Sequence, residues 1–153
     1  ANSATGIFHR GAGLYDCDGT IQNNTITDNE ATDAGGGLSM CDGTIGGNVI
    51  ARNSANYGGG LHSCDGTIRN NIITGNSAEW GGGALGRCRG AIRNCIIWGN
   101  RGPSGPQLQD SSIPTYSCIE GWSGGGDKAT SPRNRGSLTR ARVIITCKRA
   151  PRA

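Results

Sequence analysis

The chain has 153 residues, of which 28 are Gly, one is Phe, one is Met and 34% are hydrophobic. So few large apolar side chains exclude a broad globular core, and no apolar run approaches the ~20 residues that a membrane helix needs. The net charge of +4 joins two unlike parts: residues 1–126 carry seven Arg and no Lys against ten acids, whereas residues 127–153 carry eight Lys and Arg against one acid.

The opening ANSA, Ala1 to Ala4, matches GNSA at Gly75 to Ala78. Residues 1 to about 10 are therefore expected to close a truncated preceding unit, with inserted residues around Phe8 and His9. Three near-copies follow, GAGLYDCDGTIQNNTITDNEATD, AGGGLSMCDGTIGGNVIARNSANY and YGGGLHSCDGTIRNNIITGNSAEW, and a fourth closes at Asn100. Leu14, Leu38, Leu61 and Leu85 are spaced by 24, 23 and 24. The same spacings hold for Cys17, Cys41, Cys64 and Cys88, and for Ile21, Ile45, Ile68 and Ile92. They hold again for Ile26, Ile50, Ile73 and Ile97, and for Asn29, Asn53, Asn76 and Asn100.

A fixed period of this length is the mark of a solenoid. Helical repeats are longer and rich in Ala, Leu, Glu and Lys, and leucine-rich repeats need several leucines where each unit here has one. Each unit instead offers three short strand-like pieces, around Gly-Leu, Gly-Thr-Ile and Ile-Ile-Thr, each closed by Gly or Asn. The expected fold is all-β: a right-handed parallel β-helix of about four coils with 23–24 residues per coil. Stacked coils put like residues above one another at the ~4.8 Å strand spacing. Leu and Ile then form apolar ladders, Asn bonds the backbone of the next coil, and glycine fills the crowded corners. A slim tube of this kind needs few large apolar side chains.

Several side chains invite a functional reading beside a structural one. Cys17, Cys41, Cys64 and Cys88 lack the paired spacing of a zinc site, so a small ladder residue is the expected role. Cys95 stands where other units have Asn24, Asn48 and Asn71, and reads the same way. Asp18, Asp42 and Asp65 form an acidic row broken by Arg89. Each precedes Gly and is expected to cap its own turn; the competing reading, and the one cofactor in view, is calcium held between rungs. Tyr57 and Trp80 stand at matching places before the glycine block, where exposed rings could stack on a sugar. Arg69 and Arg93 either face solvent or meet an acidic sugar. The histidines, His9 and His62, have no partner pattern for a triad or metal site.

The strings GGGL–CDGTIRNNIITGNSA resemble the repeats of right-handed parallel β-helix proteins of the pectate-lyase-like superfamily. More narrowly, NCIIWGN, GPQ and YSCIEGWSGGG are similar to bacterial surface proteins with a choice-of-anchor Q domain. The resemblance covers about residues 1–126. It implies export and attachment at a cell surface, and it carries over no catalytic residue. The Asn-x-Asp, Asp-Asp, Gly-His-Gly and Arg-x-Lys of polygalacturonase-like members are all missing.

After GWSGGG that family continues with an acidic, apolar pattern of the kind D-I-x-x-x-P-x-F-x-D-P and then G-D-Y-H-L. Residues 130–148 read TSPRNRGSLTRARVIITCK instead. Codons exist for this segment that, read one nucleotide earlier, spell DIATEPGFADPGAGDYHLQ. Residues 127–153 are thus expected to be a frame-shifted basic tail that packs poorly, with an edge strand at Val143 to Thr146. No nucleic-acid partner follows from its arginines.

The reading is a structural or ligand-presenting segment of a secreted, surface-attached bacterial protein. Its expected partners are a polysaccharide or cell-surface glycan and the neighbouring β-helix coils of a longer chain. The alternative is a fragment of a polysaccharide lyase or glycoside hydrolase whose catalytic residues lie elsewhere.

Overall fold

The corners of the tube follow from single residues. In each coil the first three strands end on a residue with a left-handed backbone: Asp16, Asn23 and Asp28 in the first coil, then Met40, Gly47 and Arg52, then Ser63, Asn70 and Gly75. Gly, Asn and Asp enter this region at little cost, whereas Met40, Arg52, Ser63 and Arg87 do so against their preference. A corner every few residues limits each strand to two or three residues.

In the computed structural model, residues 3–4 and 9–121 are described, and they form a parallel β-solenoid of about four turns without a helix. One wall holds β2 (Leu14–Tyr15), β6 (Leu38–Ser39), β10 (Leu61–His62), β14 (Leu85–Gly86) and β17 (Leu108–Gln109). The second holds β3 (Thr20–Gln22), β7 (Thr44–Gly46), β11 (Thr67–Arg69) and β15 (Ile92–Arg93). The third holds β4 (Thr25–Thr27), β8 (Val49–Ala51), β12 (Ile72–Thr74), β16 (Ile96–Trp98) and β18 (Cys118–Ile119). The fourth holds β1 (Ser3–Ala4), β5 (Glu30–Ala31), β9 (Ser54–Ala55) and β13 (Ser77–Ala78). Every pairing is parallel and joins a strand to its counterpart one coil away.

The apolar columns stand in the expected register. Leu14, Leu38, Leu61 and Leu85 pair in sequence and continue to Leu108. Ile21, Ile45, Ile68 and Ile92 do the same on the second wall, and Ile26, Ile50, Ile73 and Ile97 on the third, ending at Ile119. From Leu38 to Leu85 these side chains are fully buried, each contributing about 2 kcal/mol of transfer free energy. Three strands per coil were expected and four are present. The extra one is the Ser-Ala pair after the Asn column, too short and too weakly apolar to mark itself.

Buried Asn side chains bind one coil to the next. Asn53 Nδ2 donates to Ile26 O at 2.9 Å and to Asn76 Oδ1 at 3.0 Å, while Asn53 Oδ1 accepts from Asn29 N–H and Nδ2. Asn76 repeats this pattern toward Ile50 and Asn100. A second column, Asn24, Asn48 and Asn71, follows the same scheme at the corner between the second and third walls. Among the described residues no helix is long and apolar enough to cross a membrane. The expectations for residues 127–153, including the strand at Val143 to Thr146, lie outside the described residues.

Candidate functional site

The acidic row lies at the corner between the first and second walls, and its geometry differs from the expectation in one respect. Each carboxylate caps the next coil rather than its own turn. Asp42 N–H donates to Asp18 Oδ1 at 3.3 Å, Asp65 N–H to Asp42 Oδ1 at 2.8 Å, and Arg89 N–H to Asp65 Oδ1 at 2.7 Å. The row ends at Arg89, whose backbone N–H takes the last of these bonds. Gly43 and Gly66 are required by the same stacking: a Cβ there would strike the carbonyls of Asp18 and Gly19, or of Asp42 and Gly43, whereas a Cβ on Gly19 at the first rung would meet nothing. No trio of His, Cys, Asp or Glu side chains gathers around one point among the described residues.

One residue before this row runs the cysteine column. The thiols of Cys17, Cys41, Cys64 and Cys88 donate to the carbonyls of Tyr15, Ser39, His62 and Gly86 at 3.3–3.5 Å. In the fifth rung Ser111 takes the place, and its hydroxyl donates to Gln109 O at 2.9 Å. The hydrogen bond with Cys64, together with burial, pushes the Cys41 thiol far above its ordinary range. Cys95 occupies the second Asn column, its thiol 3.3 Å from Arg93 O and raised by burial.

The aromatic candidates meet at the glycine corner between the fourth and first walls. Tyr57 and Trp80 rings lie 5.7 Å apart, edge to face, and Tyr57 also tilts against His62 at 6.4 Å. Their backbones hold matching places, for Trp80 N–H donates to Asn56 O at 3.0 Å as Tyr57 N–H donates to Asp33 O at 3.0 Å. A Cβ on Gly81 would lie 2.9 Å from Tyr57 Cδ1 and 3.3 Å from its Cα, so Gly81 also lies against Tyr57. The Trp80 side chain protrudes, with 52% of its surface exposed.

The pair formed by His62 and Ser63 has no motif in the sequence beyond their adjacency. Ser63 Oγ and His62 Nδ1 lie 3.1 Å apart. Burial first, and then the charges of Arg87 and Arg10 against the opposing Asp33, lower the His62 pKa to about 4. A base so weak is poorly matched to proton abstraction near neutrality. The left-handed backbone of Ser63 is shared by Asp16, Met40, Arg87 and Asp110 at the same corner, so it belongs to the solenoid.

Arg69 and Arg93 pair in register on the second wall, and neither forms an ion pair with a described residue. They stand on a different wall from the Tyr57–Trp80 corner, so the two groups do not form one site. Among the described residues, Arg10 with Asp33 and Arg52 with Asp28 form close ion pairs, each at 2.7 Å. No family model, characterised protein or solved structure matches the chain.

Proposed function

We propose that the chain is a structural, ligand-presenting segment of a secreted, surface-attached bacterial protein, of the pectate-lyase-like β-helix kind and near those with a choice-of-anchor Q domain. One observation carries this reading: the side chains equipped for chemistry are already engaged in the hydrogen bonds that hold the solenoid. The Asp row caps backbone amides, the thiols donate to carbonyls, and the buried Asn columns bond one another. A lyase needs a base and charge stabilisation beside a uronate, and a hydrolase needs two carboxylates at a set separation. Trp80 offers an exposed ring for a sugar face, and the paired Arg69 and Arg93 offer positive charge to an acidic polymer.

The test is incubation of the full chain with pectin, alginate and related polymers, with and without calcium, following unsaturated products and reducing ends. No turnover is expected. In retardation gels containing the same polymers, Trp80→Ala is expected to weaken any retardation at least fivefold with the fold intact. Turnover that is lost in Asp42→Ala and Asp65→Ala would overturn this reading in favour of a piece of a polysaccharide-cleaving enzyme.

A further inference from the structure

We propose that the cysteine column is a site for a soft metal ion that takes two sulfur ligands in line, entered between Cys17 and Cys41. The registers on either side, Leu14 over Leu38 and Ile21 over Ile45, hold each Cys above the next. Every thiol donates to the carbonyl two residues back, so the sulfurs take a common direction in successive coils. Stacked positions are separated by the ~4.8 Å strand spacing. A metal–thiolate bond is about 2.3 Å, so an ion midway between two sulfurs spans about 4.6 Å. The rung repeat and an in-line S–metal–S unit therefore have nearly the same length.

The surroundings select the class of ion. Among the described residues no third ligating side chain joins any pair to complete the tetrahedral coordination of zinc. Sulfur ligands favour soft ions. The neighbouring Leu38 and Ile45 are fully buried, so a net charge would be costly there. Two thiols that lose their protons to solvent as they bind a divalent ion such as mercury(II), which gives up its two chlorides, leave a neutral unit, with two metal–sulfur bonds replacing two sulfur–hydrogen bonds. Cys17 is the partly exposed end of the column, while Cys41, Cys64 and Cys88 are fully buried. Sulfur is not required by the hydrogen bond, because the Ser111 hydroxyl makes it in the fifth rung and accepts Cys88 N–H at 3.0 Å. Serine is thus accommodated in the column, and Cys→Ser variants test the metal without removing the stacking contact.

The experiment uses the reduced full chain with Cys64, Cys88, Cys95, Cys118 and Cys147 changed to Ser, so that Cys17 and Cys41 are the remaining thiols, titrated with mercury(II) chloride. One tight equivalent is expected, with two protons released per ion and X-ray absorption showing two sulfurs at a single distance. Cys41→Ser is expected to lower affinity at least tenfold and to release one proton, and zinc(II) is expected not to compete. Circular dichroism checks each variant, and Cys17→Ser is scored by the same criteria should Cys41→Ser fail to fold. One sulfur and one proton in the parent, an unchanged site in the folded variant, or equal binding of zinc would each overturn the proposal.

Discussion

Asn53 shows how a polar residue stabilises a tube this narrow. Asn53→Ala would strip bonds from Ile26 O, Asn29 and Asn76 Oδ1 in a site with no exposed surface. Each buried group left unpaired costs about 1–3 kcal/mol, so a loss of at least about 2 kcal/mol is expected in urea unfolding. Asp42→Ala removes one bond at an exposed corner, where water replaces the carboxylate, and about 1 kcal/mol or less is expected. His62 adds a pH dependence. Its folded pKa of about 4 lies below the ordinary 6.5, so between those values the unfolded chain takes up a proton that the folded chain refuses. Its neutral form is therefore the stabilised one. Stability is expected to fall as pH drops from ~6.5 to ~4, by up to roughly 3 kcal/mol, and His62→Gln should flatten that slope in melts across the range. The Asn and Leu columns were legible because a stacked position imposes one residue type on every rung. The direction of the Asp bonds was not, since a cap on the next coil and a cap on the same turn select the same Asp-Gly pair.

At the scale of the element, the glycines divide into those that permit stacking and those that do not matter to it. Gly66→Ala would drive a Cβ into the carbonyls of Asp42 and Gly43, backbone against backbone with no side chain able to yield. Gly46, within β7, meets nothing nearer than Arg69 O at 3.6 Å, an ordinary contact. Gly66→Ala is expected to reduce stability severely, and Gly46→Ala to be neutral or to add up to about 1 kcal/mol through the unfolded chain. Equal thermal shifts for the two would refute this account of the corner. Both glycines look alike in sequence, since each follows or precedes a Thr-Ile piece, and only the approach of the neighbouring coil separates them. The fourth strand escaped notice for a related reason. Ser54–Ala55 and Ser77–Ala78 are strands because their counterparts pair with them, with little local preference to announce it. Trp80 matches Tyr57 by counting from the Asn column and by its backbone bond to Asn56. The additional residue of this coil lies after the Asn column and sets Gly81 against Tyr57 as well.

The whole molecule is nearly one-dimensional, for each coil contacts only its neighbours along the axis. Its length should therefore be adjustable in whole coils and in no other unit. Removing residues 61–84 joins Gly60 to Leu85, so that Leu38 would stack on Leu85, Ile45 on Ile92 and Asn53 on Asn100. Each new neighbour is the residue type that the missing coil supplied. Cys41 would meet Cys88, and Asp42 Oδ1 would meet the Arg89 amide that Asp65 caps in the full chain. The shortened protein is expected to keep a β-type circular dichroism spectrum and a cooperative melt, with a lower midpoint because one interface between coils has gone. Removing residues 61–72 takes away half a coil and sets Ile73 where Leu61 belongs, with no Cys or Asp column beyond it. That chain has apolar residues and corners out of phase on every wall, and no register restores them. It is expected to show no cooperative transition. A cooperative melt for the half-coil deletion, or none for the whole-coil deletion, would mean that stacking identity is not what holds the tube together.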